Sequence, residues 1–226
     1  DNLSENKLSN CDILEVLRRK TGEIIYNKDD GFLVYDTIGE VNFINAKTEA
    51  AAEYMLSIIK DKTLFCAHNE LSRDVVMRIT RLAPALECFQ ALYNGEMPPA
   101  PKLEAPFAIK KLEEKHIAIV LENYKAVDSE DYIKDRIADG MFGIFDGEIL
   151  TSFIGKHAEG SMGLLYVLPE YRKKGFAQAL ATFMVRRCIE NGELPYSQIT
   201  VANTASYALH QSLGFEISEK KVYWLE

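Results

Sequence analysis

The spacing of apolar residues switches repeatedly between two periods along this chain, and each switch marks an element. Ile13, Leu14 and Leu17 fall on one side of a short helix over 12–19. Ile24-Ile25-Tyr26 and Phe32-Leu33-Val34-Tyr35 flank Lys28-Asp29-Asp30-Gly31, which predicts two strands joined by a tight turn. Val41-Asn42-Phe43-Ile44 alternates as a half-buried third strand does. A helix over 48–59, a strand over 63–67, a helix over 70–79 and a strand over 86–93 complete the first half.

Residues 94–102 then bring three prolines and a glycine, which fit neither a helix interior nor a central strand. They predict a boundary: a first domain over 1–95, a Pro-rich linker over 96–104 and a second domain over 105–226. The second half reads as a strand over 107–111, an amphipathic helix over 113–124 and a helix capped by Ser129 that runs to about 138. Strands over 141–145 and 149–154 flank the turn Asp146-Gly147. A strand over 163–168 follows. A long helix starts at Ala177 and ends near Asn191-Gly192. A strand over 197–201, a helix over 204–213 closed by Gly214, and one or two strands over 215–225 end the chain. The fold class is therefore α+β, a mixed sheet flanked by helices.

Composition narrows the partners. At 226 residues, 47% apolar and 27% charged, the chain reads as an ordinary soluble protein of one large or two small domains. A formal charge of −8 argues against nucleic acid and favours amine-bearing small molecules, although solubility alone is the plainer reason for the sign. No apolar run approaches the about 18 residues that span a bilayer, so no membrane partner is expected. The stretch Asp1-Asn2-Leu3-Ser4-Glu5-Asn6 has no signal-peptide layout, and the lack of an initiator Met suits a fragment or processed form. Cys11, Cys66, Cys88 and Cys188 are scattered, with no C-x-x-C pair and no histidine at ligand spacing; buried thiols in a reducing cytoplasm, and no metal, are the expectation.

One stretch carries chemistry. Tyr166-Val167-Leu168 ends a strand at Pro169, and Arg172-Lys173-Lys174-Gly175 leads into the helix at Phe176-Ala177. A helix N-terminus presents unpaired N–H groups and a positive dipole end, so a glycine turn with three cations there suits a phosphate or pyrophosphate. A solvated basic cap is the plainer alternative. Downstream, Asn203 opens the next helix as an N-cap would, with Ser206, Tyr207 and His210 following it.

With these two segments, the second half resembles the GNAT superfamily of acyl-CoA-dependent N-acyltransferases. Val167-Leu168-Pro169-Glu170-Tyr171-Arg172-Lys173-Lys174-Gly175-Phe176-Ala177 is similar to that family's V-x-P-x-x-R-x-x-G-x-G/A pyrophosphate loop. Asn203-Thr204-Ala205-Ser206-Tyr207-Ala208-Leu209-His210-Gln211-Ser212-Leu213-Gly214-Phe215 is similar to its N-x-x-[AS]-x-x-L-Y-x-x-L-G-F segment. The resemblance covers 105–226 and implies a GNAT-type, mostly antiparallel sheet. It implies acyl transfer, acetyl-CoA or another acyl-CoA as co-substrate, and a small amine or amino acid as acceptor.

On that resemblance, backbone N–H groups from Lys173, Lys174, Gly175, Phe176 and Ala177, with the charge of Arg172, hold the pyrophosphate. Leu165, Tyr166 and Val167 lie along the pantetheine arm. The strand over 197–201 splays away to admit it, and Asn203, Ser206 and His210 face it from the other side. His210 stands where the family usually has the tyrosine that protonates the departing thiolate, and Tyr207 offers a substitute hydroxyl. Where many relatives carry a basic carboxylate, this chain has Ser161-Met162-Gly163; Glu159 and His157 are the nearest candidates. A backbone N–H near Val167 would polarise the thioester carbonyl. A non-catalytic acyl-CoA sensor or scaffold and a protein N-acetyltransferase remain as alternatives. The element order of the first half repeats the core order of the second, so the fold is expected twice. The turn Phe43-Ile44-Asn45-Ala46-Lys47-Thr48 lacks glycine and a basic cluster, which marks the first copy as degenerate.

Overall fold

The computed structural model describes Leu3 and residues 6–226; residues 1, 2, 4 and 5 of the N-terminal stretch read above lie outside the described residues. The first half contains α1 (Cys11–Arg18), β1 (Gly22–Lys28), β2 (Gly31–Asp36), β3 (Val41–Ala46), α2 (Glu49–Ser57), β4 (Phe65–Ala67), α3 (Glu70–Thr80) and β5 (Pro84–Leu92). The second contains β6 (Phe107–Lys111), α4 (Ile117–Asn123), α5 (Glu130–Gly140), β7 (Phe142–Asp146), β8 (Ile149–Lys156), β9 (Met162–Val167), α6 (Phe176–Glu190), β10 (Tyr196–Thr200), α7 (Thr204–Ser212) and β11 (Glu216–Leu225). The helix expected over 113–124 is a 3₁₀ turn, Glu114–His116, followed by α4.

Local chemistry explains the starts and turns. Side-chain oxygens of Thr48, Asn69, Ser129 and Asn203 accept backbone N–H groups in the first turns of α2, α3, α5 and α7. The β1–β2 hairpin needs Gly31: its φ is 150°, and a Cβ there would lie 2.1 Å from the Asn45 carbonyl oxygen.

Two sheets form. Strands β6-β7-β8-β9 make an antiparallel four-stranded sheet. The larger sheet runs β1-β2-β3-β4-β11-β5-β10 and draws on both halves of the chain. The last strand of each half is exchanged: β11 lies between β4 and β5, and β5 lies between β11 and β10. The ladder from Glu216↔Leu92 to Leu225↔Pro84 thus joins the C-terminus to the first half, and β11 is one bulged strand with a register shift between Ile217 and Lys221. The seven-stranded sheet therefore needs strands from both halves, while the four-stranded sheet comes from the second half alone.

Helices cover both faces. In the first half, α2 and α3 set Ala52, Met55, Val75 and Val76 against Leu33, Ile44, Phe65 and Leu225. On the opposite face α1 sets Ile13 and Val16 against Phe32, Val34, Phe43 and Val222. Residues 41–44 are consequently buried at every position, including Asn42, rather than at alternate ones. In the second half, Leu180, Met184 and Val185 of α6 pack on Ile144, Ile154 and Ile199, while α4 and α5 cover Phe145, Phe153 and Leu164 from the other side. Leu180 is fully buried, and its truncation to alanine costs about 2–5 kcal/mol.

One difference between the halves positions the site. Strand β3 pairs with β4 in parallel, with Asn42, Phe43 and Ile44 opposite Phe65, Cys66 and Ala67. The corresponding strands of the second half, β9 and β10, lie side by side without a ladder between them, and the two sheets part there. No helix among the described residues is long and apolar enough to cross a membrane.

Candidate functional site

The gap between β9 and β10 opens into a cleft of about 570 Å³. Leu165, Tyr166 and Val167 line one wall, and Asn203, Ser206 and His210 line the other. Arg172 and Ala177 stand at the mouth, and Tyr124, His157, Gly163 and Ser197 also border it. The turn between Arg172 and Ala177 builds the mouth from backbone. Lys173 and Gly175 both take left-handed conformations, with φ of 61° and 77°. Gly175 is the N-cap of α6 and provides no side-chain cap, so the first-turn N–H groups face outward unsatisfied by a side chain.

A Cβ on Gly175 would meet no protein atom within 4 Å, so the reason for glycine in the free protein is its backbone angle. Open space lies beside it. Two of the three cations, Arg172 and Lys174, make contacts within the protein. Arg172 folds back, donating from Nε to the Val167 carbonyl at 3.1 Å and from Nη2 to the Tyr166 hydroxyl at 3.3 Å. Lys174 lies over the Tyr171 ring at 4.9 Å. Phe176 is buried against Phe107, so its backbone, not its ring, belongs to the turn.

Strand alternation decides which groups reach the cleft. Leu168 donates its N–H to Thr151 on β8, so the Val167 and Leu165 N–H groups point the other way, to the open edge. The regular ladder breaks at Leu164, where φ is 51° and the register with β8 shifts between Phe153 and Gly155. This bulge turns backbone toward the cleft beside Gly163. A leucine in a left-handed conformation leaves no mark in the sequence, and the bulge was not foreseen there.

His210 is buried, with its ring edge-on to Phe215 at 4.8 Å. Its Nδ1 donates to the Ser206 carbonyl at 2.8 Å and lies 3.3 Å from the Ser206 hydroxyl. Burial lowers its pKa from the ordinary 6.5, and the bond to Ser206 only partly offsets this. The side chain is thus neutral near pH 7, with its remaining lone pair on Nε2. A group in that state accepts a proton and has none to give from Nε2.

Tyr207 does not line the cleft: its ring is 38% exposed and packs against Phe89 at 6.0 Å. Adjacent positions on a helix point about 100° apart, and the face that carries Ser206 and His210 excludes Tyr207. Glu159 is a buried carboxylate rather than a solvated loop residue, accepts a short hydrogen bond from Ser161, and is not among the residues lining the cleft. His157 does line it. Its Nδ1 pairs with the Tyr132 hydroxyl at 2.9 Å, which also receives the Ala158 N–H at 3.3 Å. Burial, and then the Glu159 charge, push the Tyr132 phenol up, so it stays protonated and holds the ring in place.

Other residues join the site that the sequence did not single out. Gln198 lines the cleft, takes the Trp224 indole N–H on Oε1 at 2.7 Å and donates from Nε2 to Asp12 at 3.1 Å. The same Asp12 oxygen takes His68 Nε2 at 3.1 Å, and Cys66 Sγ lies 4.0 Å from it. Asp12, Cys66 and His68 form a buried group with ligand atoms within 4.8 Å of one another, a cluster that the sequence reading missed although Cys66 and His68 are two apart. With two donors on one oxygen, Asp12 is a hydrogen-bond hub linking α1 to β10. The four cysteines are all free and buried, and burial raises their thiol pKa values, Cys88 to about 11 and Cys188 to about 12. None is an activated nucleophile.

Residues 141–225 match the family described as FR47-like protein. The uncharacterized N-acetyltransferase YdfB of Bacillus subtilis is 35% identical over 78 residues, covering 34% of this chain and 29% of that protein. An aminoglycoside N(6')-acetyltransferase type 1 of Acinetobacter genomosp. 13 is 38% identical over 66 residues, covering 26% of this chain and 42% of that protein. The match therefore spans less than half the length of these curated relatives. Among solved structures, a Drosophila protein superposes with a TM-score of 0.69 at 15% identity, over 96% of this chain and 88% of its own. A GCN5-related N-acetyltransferase from Kribbella flavida gives 0.64 at 10% identity, over 98% and 96%. A tandem GNAT protein from the clavulanic acid biosynthesis pathway gives 0.50 at 12%, over 96% and 87%. At these identities the likeness establishes the fold. The superpositions show a GNAT-type fold, and within it residues 141–225 carry the FR47-like match.

Proposed function

We propose that this protein is an N-acyltransferase that moves an acyl group, acetyl in the simplest case, from a coenzyme A thioester to a small amine. The observation that carries this reading is the parting of β9 from β10, which joins the uncapped N-terminus of α6 to an interior bordered by His157. Residues 105–226 would be the donor-binding half, 96–104 a linker, and 1–95 a degenerate copy whose zipped β3–β4 pair leaves no slot for a pantetheine arm.

The residues fit the donor. The first-turn N–H groups of α6 suit a pyrophosphate, and the outward N–H groups of Val167 and Leu165 pair with an amide-bearing chain as a strand edge does. Coenzyme A supplies the activated thioester. The N–H turned out at the Leu164–Leu165 bulge would hold the developing oxyanion, deeper in the cleft than the Val167 position expected from sequence. No aspartate or glutamate is among the cleft-lining residues, so His157, fixed by Tyr132, is assigned the proton leaving the attacking amine. His210 shapes the wall opposite β9. The amine nitrogen bonds to the acyl carbon, its proton passes to His157, the carbon–sulfur bond breaks, and the thiolate takes up a proton from water or the one His157 releases.

Thiol release from acetyl-CoA with a panel of small amines tests the assignment, alongside a thermal shift with coenzyme A. Binding with turnover supports it. Binding without turnover across the panel supports the second reading, a non-catalytic acyl-CoA sensor, which the carboxylate-free cleft and neutral His210 favour. Absence of binding refutes both.

A further inference from the structure

A second cavity, of about 350 Å³, lies in the first half of the chain. It is bordered by Asn45 and Lys47 at the end of β3, His68 and Asn69 after β4, Gln90 on β5, and Lys220 and Lys221 on β11. Asn69 caps α3 here as Asn203 caps α7 beside the other cleft, so the cavity occupies the equivalent place in the degenerate copy. The parallel β3–β4 ladder closes the slot and leaves a compact polar hollow.

We propose that this cavity binds a small organic carboxylate, independently of the acyl-donor cleft. Gln90 carries the inference. It is 1% exposed, its Oε1 receives the Cys11 thiol at 3.5 Å, and its Nε2 has no partner among the described residues. A buried amide N–H without an acceptor is costly, and at a cavity wall it marks the place of one. The charge agrees. Three lysines and no carboxylate line the cavity, in a chain whose formal charge is −8. Lys221 is paired with Glu87 at 3.0 Å, while Lys47 and Lys220 are exposed at the rim. Asp12 lies behind His68, and its Oδ2 is occupied by His68 Nε2 and Gln198 Nε2. With Nε2 engaged by Asp12, His68 forms part of the wall, and the donors a carboxylate would meet are the Gln90 amide and the lysines. A planar carboxylate takes N–H donors on both oxygens and a lysine on either.

The chain has a built-in reporter. Its single tryptophan, Trp224, donates to Gln198, which is bonded to Asp12 and through it to His68 on the cavity wall. Acetate, succinate, citrate and inorganic phosphate are titrated into the full chain by calorimetry and by Trp224 emission. The expected result is saturable binding of at least one carboxylate at millimolar or lower concentration, unchanged in Gly175→Asp. Binding should weaken about tenfold or more in the Lys47→Glu/Lys220→Glu double variant, whose changes are on the surface, and in Gln90→Leu. The proposal is overturned by the absence of saturable carboxylate binding, by binding of phosphate alone, by full affinity in the double variant, or by loss of binding in Gly175→Asp. Coenzyme A affinity measured in the same variants reports separately on the donor cleft.

Discussion

His210 donates its Nδ1 hydrogen to the carbonyl oxygen of Ser206, one turn back along α7, across 2.8 Å. Burial holds its pKa below the ordinary 6.5, so the folded state favours the neutral ring. The unfolded chain binds the extra proton first. Stability contributed by this group is therefore complete above pH 6.5 and is lost as pH falls through the lower folded value. His210→Phe, which keeps an aromatic ring beside Phe215, is expected to flatten this acid-side decline. Melting temperatures from pH 7.5 down to about pH 5 measure it; parallel curves for the two proteins would remove the buried-neutral assignment.

Turnover separates His210 from His157. Removing a positioned proton acceptor typically costs about 10²–10⁴-fold. His157→Phe is expected to lower kcat by about 10²-fold or more, with coenzyme A affinity nearly unchanged. His210→Phe should lower kcat by less than about tenfold. Tyr132→Phe removes the hydroxyl 2.9 Å from His157 and should fall between them. Equal losses at both histidines would place His210 in the proton path after all.

At Gly175 the two expected effects can be told apart by the size of the substitution. A left-handed φ of 77° costs a non-glycine residue about 1–2 kcal/mol, and a Cβ there meets open space. Gly175→Ala should cost about that in stability and weaken coenzyme A binding modestly. Gly175→Asp adds a negative charge at the seat of the pyrophosphate and should raise Kd about 100-fold or more at a similar loss of stability. Denaturant titration and a coenzyme A binding isotherm provide the two readouts. An unchanged Kd in the aspartate variant ends the pyrophosphate assignment.

What the sequence revealed about this site was local, and what it hid was long-range. The turn from Arg172 to Ala177 declares itself because Pro169, Gly175 and the apolar spacing of α6 act within a few residues of one another. Asn203 does so as an N-cap. The exchange of β5 and β11 has no local signature, since a period of two states that a strand has two faces and not which strand lies beside it. Tyr207 offers a hydroxyl that suits the chemistry as a substitute for His210, but helix phase places it over Phe89. Asp12 was not singled out in the sequence: it sits in the first turn of α1, and its partner Gln198 is 186 positions away.

That distant pair predicts how firmly the halves are joined. Asp12 and His68 are almost wholly buried, and Asp12 also holds Gln198. Asp12→Ala strands two donors in the interior and should cost about 3–5 kcal/mol. Asp12→Asn keeps the shape and one acceptor and should cost less. Urea denaturation followed by Trp224 emission measures both, since the indole is bonded to the same glutamine. A loss of under about 1 kcal/mol in the alanine variant would show that the hub is dispensable.

The exchanged strands make the most direct prediction about architecture. Within residues 105–226, β10 would lose its neighbour β5, and β11 would lose both β4 and β5. The lost partners expose backbone N–H and C=O groups of Tyr196–Thr200 and Glu216–Leu225, together with Val222, Tyr223 and Leu225, which are buried in the whole chain. The fragment 105–226 is therefore expected to aggregate or to lack a cooperative thermal transition. Adding a separately expressed 1–95 fragment should restore both the transition and coenzyme A binding, because β5 brings back the missing neighbour of β10. A fragment 105–226 that melts cooperatively as a monomer and binds coenzyme A with the affinity of the whole chain would show that the strand exchange is not needed to hold β10 at the wall of the cleft.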